Sequence, residues 1–95
     1  MVKINWTPQA KNDLIGIAEF IGQNSRKYAR IQIQRIRERV LQLKEYPNSG
    51  REVPELENPR IRELILGNYR IIYCIVSDER VDILTVHHSA RLLNE

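Results

Sequence analysis

Five arginines in the second half of the chain are the side chains best suited to hold an anionic ligand. They are Arg51, Arg60, Arg62, Arg70 and Arg91. A guanidinium group binds phosphate or carboxylate through two parallel hydrogen bonds, so a surface lined by arginines could hold the phosphates of a nucleic acid. The same pattern is typical of the exposed face of a half-solvated sheet, where arginines form surface ion pairs with Glu63, Asp82 or nearby loop glutamates. On the residues alone we favour this second explanation.

His87 and His88 are the candidate proton donors and acceptors, because histidine normally titrates near neutral pH. Adjacent residues of a strand point to opposite faces, so only one of them can face the arginines and the two cannot chelate one metal ion together. The chain has no further histidine and one cysteine, Cys74. It also has no glycine-rich phosphate loop, and no Ser-His-Asp arrangement can be argued from its sequence. We therefore expect neither a metal nor another cofactor.

The basic residues are unevenly distributed along the chain. Residues 26–46 hold seven basic and two acidic side chains, a net charge of +5, which leaves −2 for the remainder of a chain whose total is +3. This asymmetry suggests an anionic partner, either nucleic acid or an acidic protein segment. Composition alone fits a solvated helix face equally well. Arg30 and Arg37 of this stretch are candidate contacts for such a partner, together with Arg51 and Arg60.

A length of 95 residues predicts a single domain, residues 1–95, large enough for a two-layer fold. One cysteine cannot form an internal disulfide, which fits a reducing compartment, and we expect Cys74 to fill the core of an apolar strand. The first six residues lack the apolar segment of a signal peptide, and no apolar stretch approaches the ~20 residues of a membrane span. The sequence therefore predicts a cytoplasmic protein.

Strand and helix periodicities follow one another in the order β-α-α-β-β-β. Residues 2–6 alternate as in a strand, Thr7-Pro8 begins a helix, and Ser25 can cap a second helix that ends before residues 47–50. Residues 51–59 contain two prolines and are predicted to form a loop. Three strands follow at 60–66, 69–76 and 81–87, the first two joined by a Gly67-Asn68 turn.

This order predicts an α+β fold, in which an antiparallel helical hairpin packs on a largely antiparallel four-stranded sheet. Arg60 and Arg62 would share one face of their strand. Arg70 would lie across the hairpin from about Leu66, within reach of them. The position of the first strand in the sheet does not follow from the sequence.

Several short segments, in this order and at these spacings, resemble the RelE/ParE superfamily, the toxins of type II toxin–antitoxin systems that are sometimes labelled plasmid-stabilisation proteins. No single segment is specific, and the resemblance covers residues 2 to about 92. The segments are Trp6-Thr7-Pro8-x-Ala10, Pro47-x-x-Gly50-Arg51-x-x-Pro54-Glu55-Leu56, Ile61-Arg62-Glu63-Leu64, Tyr69-Arg70-Ile71-Ile72-Tyr73 and the run from Val81 to Arg91.

The resemblance implies a partner and two different targets. Members are encoded beside an antitoxin whose C-terminal segment wraps and blocks the toxin. The RelE branch cleaves mRNA in the ribosome with basic side chains on the sheet and an acid–base group near the C-terminus, whereas the ParE branch poisons DNA gyrase and is not a nuclease. The candidate catalytic residues for cleavage are Arg62, Arg70, His87, His88 and Arg91.

The sequence departs from the RelE pattern at the residues that matter for cleavage. No tyrosine follows Tyr73, and the strand from Arg60 carries arginines where that branch has lysines. The linker and the His-x-x-x-Arg ending are nearer to ParE-type sequences. We therefore expect a gyrase inhibitor that is neutralised by a cognate antitoxin. A ribosome-dependent endoribonuclease is the alternative, and a decayed, non-toxic module that binds only antitoxin is a second one.

Overall fold

The structure is a computed structural model, and it describes residues 1–88. Arg91 lies outside the described residues. The elements are β1 (Lys3–Trp6), α1 (Pro8–Gly22), α2 (Arg26–Leu41), β2 (Arg51–Glu52), β3 (Ile61–Leu66), β4 (Tyr69–Ser77) and β5 (Arg80–His88), and a short 3-10 turn, Gln42–Lys44, extends α2. The predicted order is confirmed with one addition. The linker contains the two-residue strand β2, which the sequence did not indicate.

The strands form one five-stranded sheet in the order β1-β5-β4-β3-β2. The β2–β3, β3–β4 and β4–β5 pairs are antiparallel, and β1 lies parallel to β5. An α+β fold with a largely antiparallel sheet is therefore confirmed. The predicted number of four strands was wrong by one, because the backbone of Arg51 and Glu52 pairs with Glu63 and Arg62 of β3.

Both helices begin where their capping residues predicted. The Thr7 hydroxyl accepts a hydrogen bond from the Ala10 backbone N–H at 3.2 Å and donates one to the Ile83 carbonyl at 2.7 Å. Ser25 accepts from the Tyr28 backbone N–H at 3.1 Å. Because Ile83 belongs to β5, the Thr7 cap also fastens the start of α1 to the sheet. In the part of the chain described, no helix is long and apolar enough to cross a membrane.

The main core lies between the helical hairpin and one face of the sheet. Tyr73 is fully buried at its centre, and its hydroxyl donates to the Pro47 carbonyl at 2.8 Å and accepts from the Gly50 N–H at 2.9 Å. Burial raises the pKa of the Tyr73 hydroxyl above its usual value, and the Gly50 hydrogen bond opposes this shift. Other members of the core are Ala10, Leu14, Ile36, Val40, Leu43, Leu64, Ile71, Val81, Ile83 and Val86.

Cys74 is not part of this core. It is partly exposed and lies on the other side of β4 from Tyr73, in register with Ile61 of β3. The expectation that Cys74 fills the core was wrong, because neighbouring residues of a strand point to opposite faces and Tyr73 takes the helix-facing position.

Candidate functional site

A buried carboxylate, Glu63, is the centre of the sheet face that turns away from the helices. Its side chain is 0% exposed. Arg51 donates from Nε to one carboxylate oxygen at 2.5 Å, and Arg70 donates from Nε to the other at 2.7 Å. Glu63 lies in register with Ile72, and Arg70 is two residues from Ile72 along β4, so all of these side chains share one face. One buried carboxylate therefore binds two arginines.

Arg70 is held between Glu63 and a second carboxylate, Glu55. Its Nη1 and Nη2 atoms donate to the two Glu55 oxygens at 2.6 and 2.8 Å, and the residue is 5% exposed. Glu55 belongs to the linker between β2 and β3, whose Val53 is also buried. The hydrogen bonds that Arg70 donates to Glu55 raise the pKa of Arg70, burial opposes this, and Glu63 raises the pKa further. The linker is thus fastened across the sheet by a bidentate ion pair.

Arg70 was predicted to help bind an anionic ligand. In the structure, all three of its guanidinium nitrogens donate to carboxylates of the protein itself. The four charged groups, two arginines and two glutamates, balance one another. The ion pairs expected with Glu63 and the loop glutamates are therefore present, with Glu63 and Arg70 buried and Arg51 exposed at the surface. We name the set Arg51, Glu55, Glu63 and Arg70 the sheet ion cluster.

Arg62 lies on the opposite face of the sheet from Arg70. It lies in register with Tyr73, on the helix-facing side of the sheet, and its Nη1 donates to the Gly50 carbonyl at 3.0 Å. Arg60 lies just before β3, is exposed, and donates to the Val76 carbonyl at 3.3 Å. The prediction that Arg70 lies within reach of Arg60 and Arg62 was wrong, because the register of β3 on β4 places Arg62 and Arg70 on opposite faces.

The two histidines are separated as the strand alternation predicted. His87 lies in register with Arg70, on the face of the sheet ion cluster. His88 lies in register with Tyr69, and their rings meet edge to face with centroids 6.0 Å apart. Within residues 1–88 no three His, Cys, Asp or Glu side chains are grouped so that they could hold a metal ion.

The outer surface of the helical hairpin is built differently. A groove of about 490 Å³ runs between α1 and α2, with Leu14, Ile15 and Ile33 among its apolar walls and Arg37 at its side. Ile15 is 55% exposed there. Adjoining depressions extend the groove along α2 past Arg30 and Arg26. We name this surface the hairpin groove, and it is lined by Trp6, Lys11, Leu14, Ile15, Ala18, Glu19, Gly22, Gln23, Arg26, Ala29, Arg30, Ile33, Gln34 and Arg37.

The arginines of the hairpin groove are available for binding. Arg26, Arg30 and Arg37 are exposed and follow one another with Ile33 at intervals of four, three and four residues, which places them along one stripe of α2. Among residues 1–88 they have no ion-pair partner and no side-chain hydrogen bond. The groove therefore offers apolar walls beside unpaired positive charge. The sequence indicated its charge through residues 26–46 but not its apolar walls, which two helices build together.

Comparisons with known proteins place this α+β chain in the RelE/ParE superfamily of toxins. Residues 4–93 match the family described as ParE toxin of type II toxin-antitoxin system, parDE, and the chain belongs to this family. It is 35% identical over 92 residues to a protein named Toxin RelE2 from Caulobacter vibrioides, with 97% of this chain and 100% of that protein covered. Its fold is similar to a solved structure described as the chromosomal ParDE TA system from P. aeruginosa, with a TM-score of 0.76 and 25% identity over 93% of this chain and 96% of that one.

Proposed function

We propose that this toxin inhibits DNA gyrase by binding to it and that it does not cleave RNA. The observation that carries the proposal is the buried Glu63 carboxylate, bound by Arg51 and Arg70 on the sheet face where cleavage would need free cations. A binding inhibitor requires no catalytic proton transfer. It can act through exposed basic side chains alone. We further propose that the protein acts in the cytoplasm, together with DNA gyrase.

RNA cleavage through the 2′-OH needs a proton acceptor, a proton donor and fixed cations around one phosphate. A phosphate at Arg70 would have to displace Glu55 and lie beside the buried Glu63, a like charge in a region that water does not screen. Arg62 points to the other face and cannot contribute there. Arginine is also a poor proton shuttle near neutral pH, because it stays protonated.

A cognate antitoxin is the second part of the proposal. The hairpin groove combines apolar walls with the unpaired Arg30 and Arg37, which suits an acidic amphipathic segment. The solved ParDE structure, whose fold this chain shares, is described as a toxin–antitoxin system. Arg51 and Arg60 are exposed and line no part of the groove. We assign these two to contact with gyrase, on a surface separate from the antitoxin.

A ribosome-dependent endoribonuclease is the alternative. The strand register favours it, since His87 lies opposite Arg70 on the same face of the sheet and could exchange a proton beside that cation. The name Toxin RelE2, which the 35% identical Caulobacter protein carries, points the same way.

Paired assays with the purified toxin test the proposal, one measuring supercoiling by DNA gyrase and the other mRNA cleavage on translating ribosomes. We expect loss of supercoiling, reversal by antitoxin, and no cleavage. The change His87→Ala should leave gyrase inhibition intact, whereas Arg60→Ala, outside the sheet ion cluster, should weaken it. Codon-spaced cleavage that His87→Ala abolishes, with supercoiling untouched, would establish the endoribonuclease instead. The protein would instead be a decayed antitoxin-binding module if it neither inhibits supercoiling nor cleaves mRNA, allows normal growth on induction, and still binds antitoxin.

A further inference from the structure

A separate pocket of about 300 Å³ lies where α2 meets the hairpin between β3 and β4. From α2 it is lined by Tyr28, Gln32 and Arg35, and from the hairpin by Leu66, Asn68 and Tyr69. The α2 residues follow at intervals of four and three, on the opposite side of the helix from Arg30 and Arg37. The pocket is therefore distinct from the hairpin groove. It is also distinct from the sheet ion cluster, whose residues do not line it.

Gln32 is the unusual member of this pocket. Most of the residue is buried, at 6% exposed, but its side-chain amide atoms stay accessible to solvent and have no hydrogen-bond partner in residues 1–88. A ligand that displaces water from this amide must replace the hydrogen bonds that the water made. Because Gln32 lines the pocket, a ligand there could bind the amide directly. The amide offers a donor and an acceptor side by side.

The other lining residues indicate which kinds of ligand could bind in this pocket. Arg35 is exposed and forms no ion pair with the described residues, so it can bind an anionic group. Tyr28 and Tyr69 add aromatic rings, and Asn68 adds a second amide. No acidic side chain lines the pocket. A simple carboxylate would pair with Arg35 but leave the Gln32 acceptor unmatched, and a purely apolar ligand would leave the whole amide unmatched.

We propose that this pocket binds a nucleotide, with the edge of the base on Gln32, its ring against a tyrosine and the phosphate on Arg35. A glutamine amide matches the adjacent donor and acceptor of a base edge. Bases stack on aromatic side chains whatever their sequence, and arginine binds phosphate bidentately. A volume of about 300 Å³ is at the small end for ligand pockets, which suits one nucleotide. The nucleotide comes either from free mononucleotides or from an unpaired nucleotide of a single strand.

The test is a titration of the uniformly ¹⁵N-labelled toxin with AMP, GMP, CMP and UMP, with a short single-stranded oligonucleotide, and with inorganic phosphate. At least one nucleotide or the oligonucleotide should shift the amide signals of Tyr28, Gln32, Arg35 and residues 67–69. Gln32→Leu and Arg35→Gln should each weaken binding by about tenfold, the scale of one good base or phosphate contact. Lys27→Gln is the matched control, because Lys27 is exposed on the same helix and lines none of the pocket.

The outcomes separate the possibilities. Shifts with mononucleotides assign a free nucleotide, and shifts with the oligonucleotide alone assign a single strand; both support the site. Absence of shifts, equal shifts with inorganic phosphate, or equal weakening by Lys27→Gln overturns it. An oligo-glutamate peptide that shifts these residues when nucleotides do not would show a peptide-binding pocket instead. Gyrase inhibition is not read in this experiment, so the site and the proposed function can fail independently.

Discussion

The sheet ion cluster and the hairpin groove contain the same kind of side chain in opposite situations. In the cluster, Arg70 is buried and all its guanidinium nitrogens donate to carboxylates. In the groove, Arg30 and Arg37 are exposed and have no ion-pair partner among the described residues. Arginine content therefore does not identify a functional surface. An arginine whose three guanidinium nitrogens all donate to carboxylates, as in Arg70, has none left for a partner.

The two regions should also differ in what they contribute to, the cluster to the stability of the fold and the groove to recognition of a partner. A buried ion pair is strongly destabilised when one partner is removed, because the other is left charged and desolvated. An exposed charge contributes little to folding and mainly affects the rate and specificity of association. We therefore expect changes in the cluster to affect unfolding and changes in the groove to affect binding. Of four measurements, ordered from the largest expected effect to the smallest, the first and the last test this division, and the other two test the packing of Gly50 and Tyr73 beside the cluster.

Arg70→Ala should lower the free energy of unfolding by about 3–5 kcal/mol, the usual effect of breaking a buried pair. It leaves Glu63, whose side chain is 0% exposed, with Arg51 as its remaining ion-pair partner in the cluster. Arg30→Ala is the matched control and should change stability by no more than ~0.5 kcal/mol. Urea unfolding followed by circular dichroism measures both. A loss for Arg70→Ala within ~1 kcal/mol of the control would contradict a structural role for the cluster.

Gly50→Ala should cost about 1–3 kcal/mol, the range for overpacking a filled site. A Cβ at Gly50 would lie 2.6 Å from both the Glu63 carbonyl oxygen and the Tyr73 hydroxyl. Gly16→Ala in α1 is the control, since its Cβ would meet nothing within 4 Å and should stabilise the helix by up to ~1 kcal/mol. Thermal unfolding compares the two. Equal melting temperatures would show that the segment before β2 moves aside freely.

Tyr73→Phe should destabilise the protein by about 1–2 kcal/mol near neutral pH, because the Gly50 N–H loses its buried acceptor. The difference should depend on pH. Burial raises the pKa of Tyr73 above the 10.0 of an exposed tyrosine, so its contribution is fully present below that pH and is lost as the pH rises through the folded-state pKa. Urea titrations between about pH 8 and pH 11 should therefore show that the difference in the free energy of unfolding between wild type and variant becomes smaller. A constant difference would mean that the pKa of Tyr73 is not raised in the folded protein.

Arg30→Gln combined with Arg37→Gln should weaken antitoxin binding by about tenfold at low salt and less at high salt, with unfolding almost unchanged. Lys3→Gln combined with Lys27→Gln removes the same charge from exposed positions outside the groove. Isothermal titration at two salt concentrations measures both pairs. If the two pairs weaken binding equally, net charge rather than the hairpin groove attracts the partner.

Much of the fold could be predicted because its signals are local. Thr7 and Ser25 cap helices within three residues of themselves, and Gly67, with a φ of +57°, makes the turn that its place before Asn68 indicates. Neither β2 nor the place of β1 could be predicted in this way. The first has only two residues, and the second pairs with a strand more than seventy residues away.

For the candidate site, the sequence determined which residue types were present and which strand face each would share with its near neighbours. It also determined that residues 26–46 are strongly basic and that His87 and His88 diverge. The tertiary structure alone decided that Arg62 and Arg70 lie on opposite faces, because that depends on the register between two strands. It also decided that Glu55, fifteen residues before Arg70, lies over it as a counter-ion. Neutralisation depends on distance and burial, and neither is set by the residues that flank a charge.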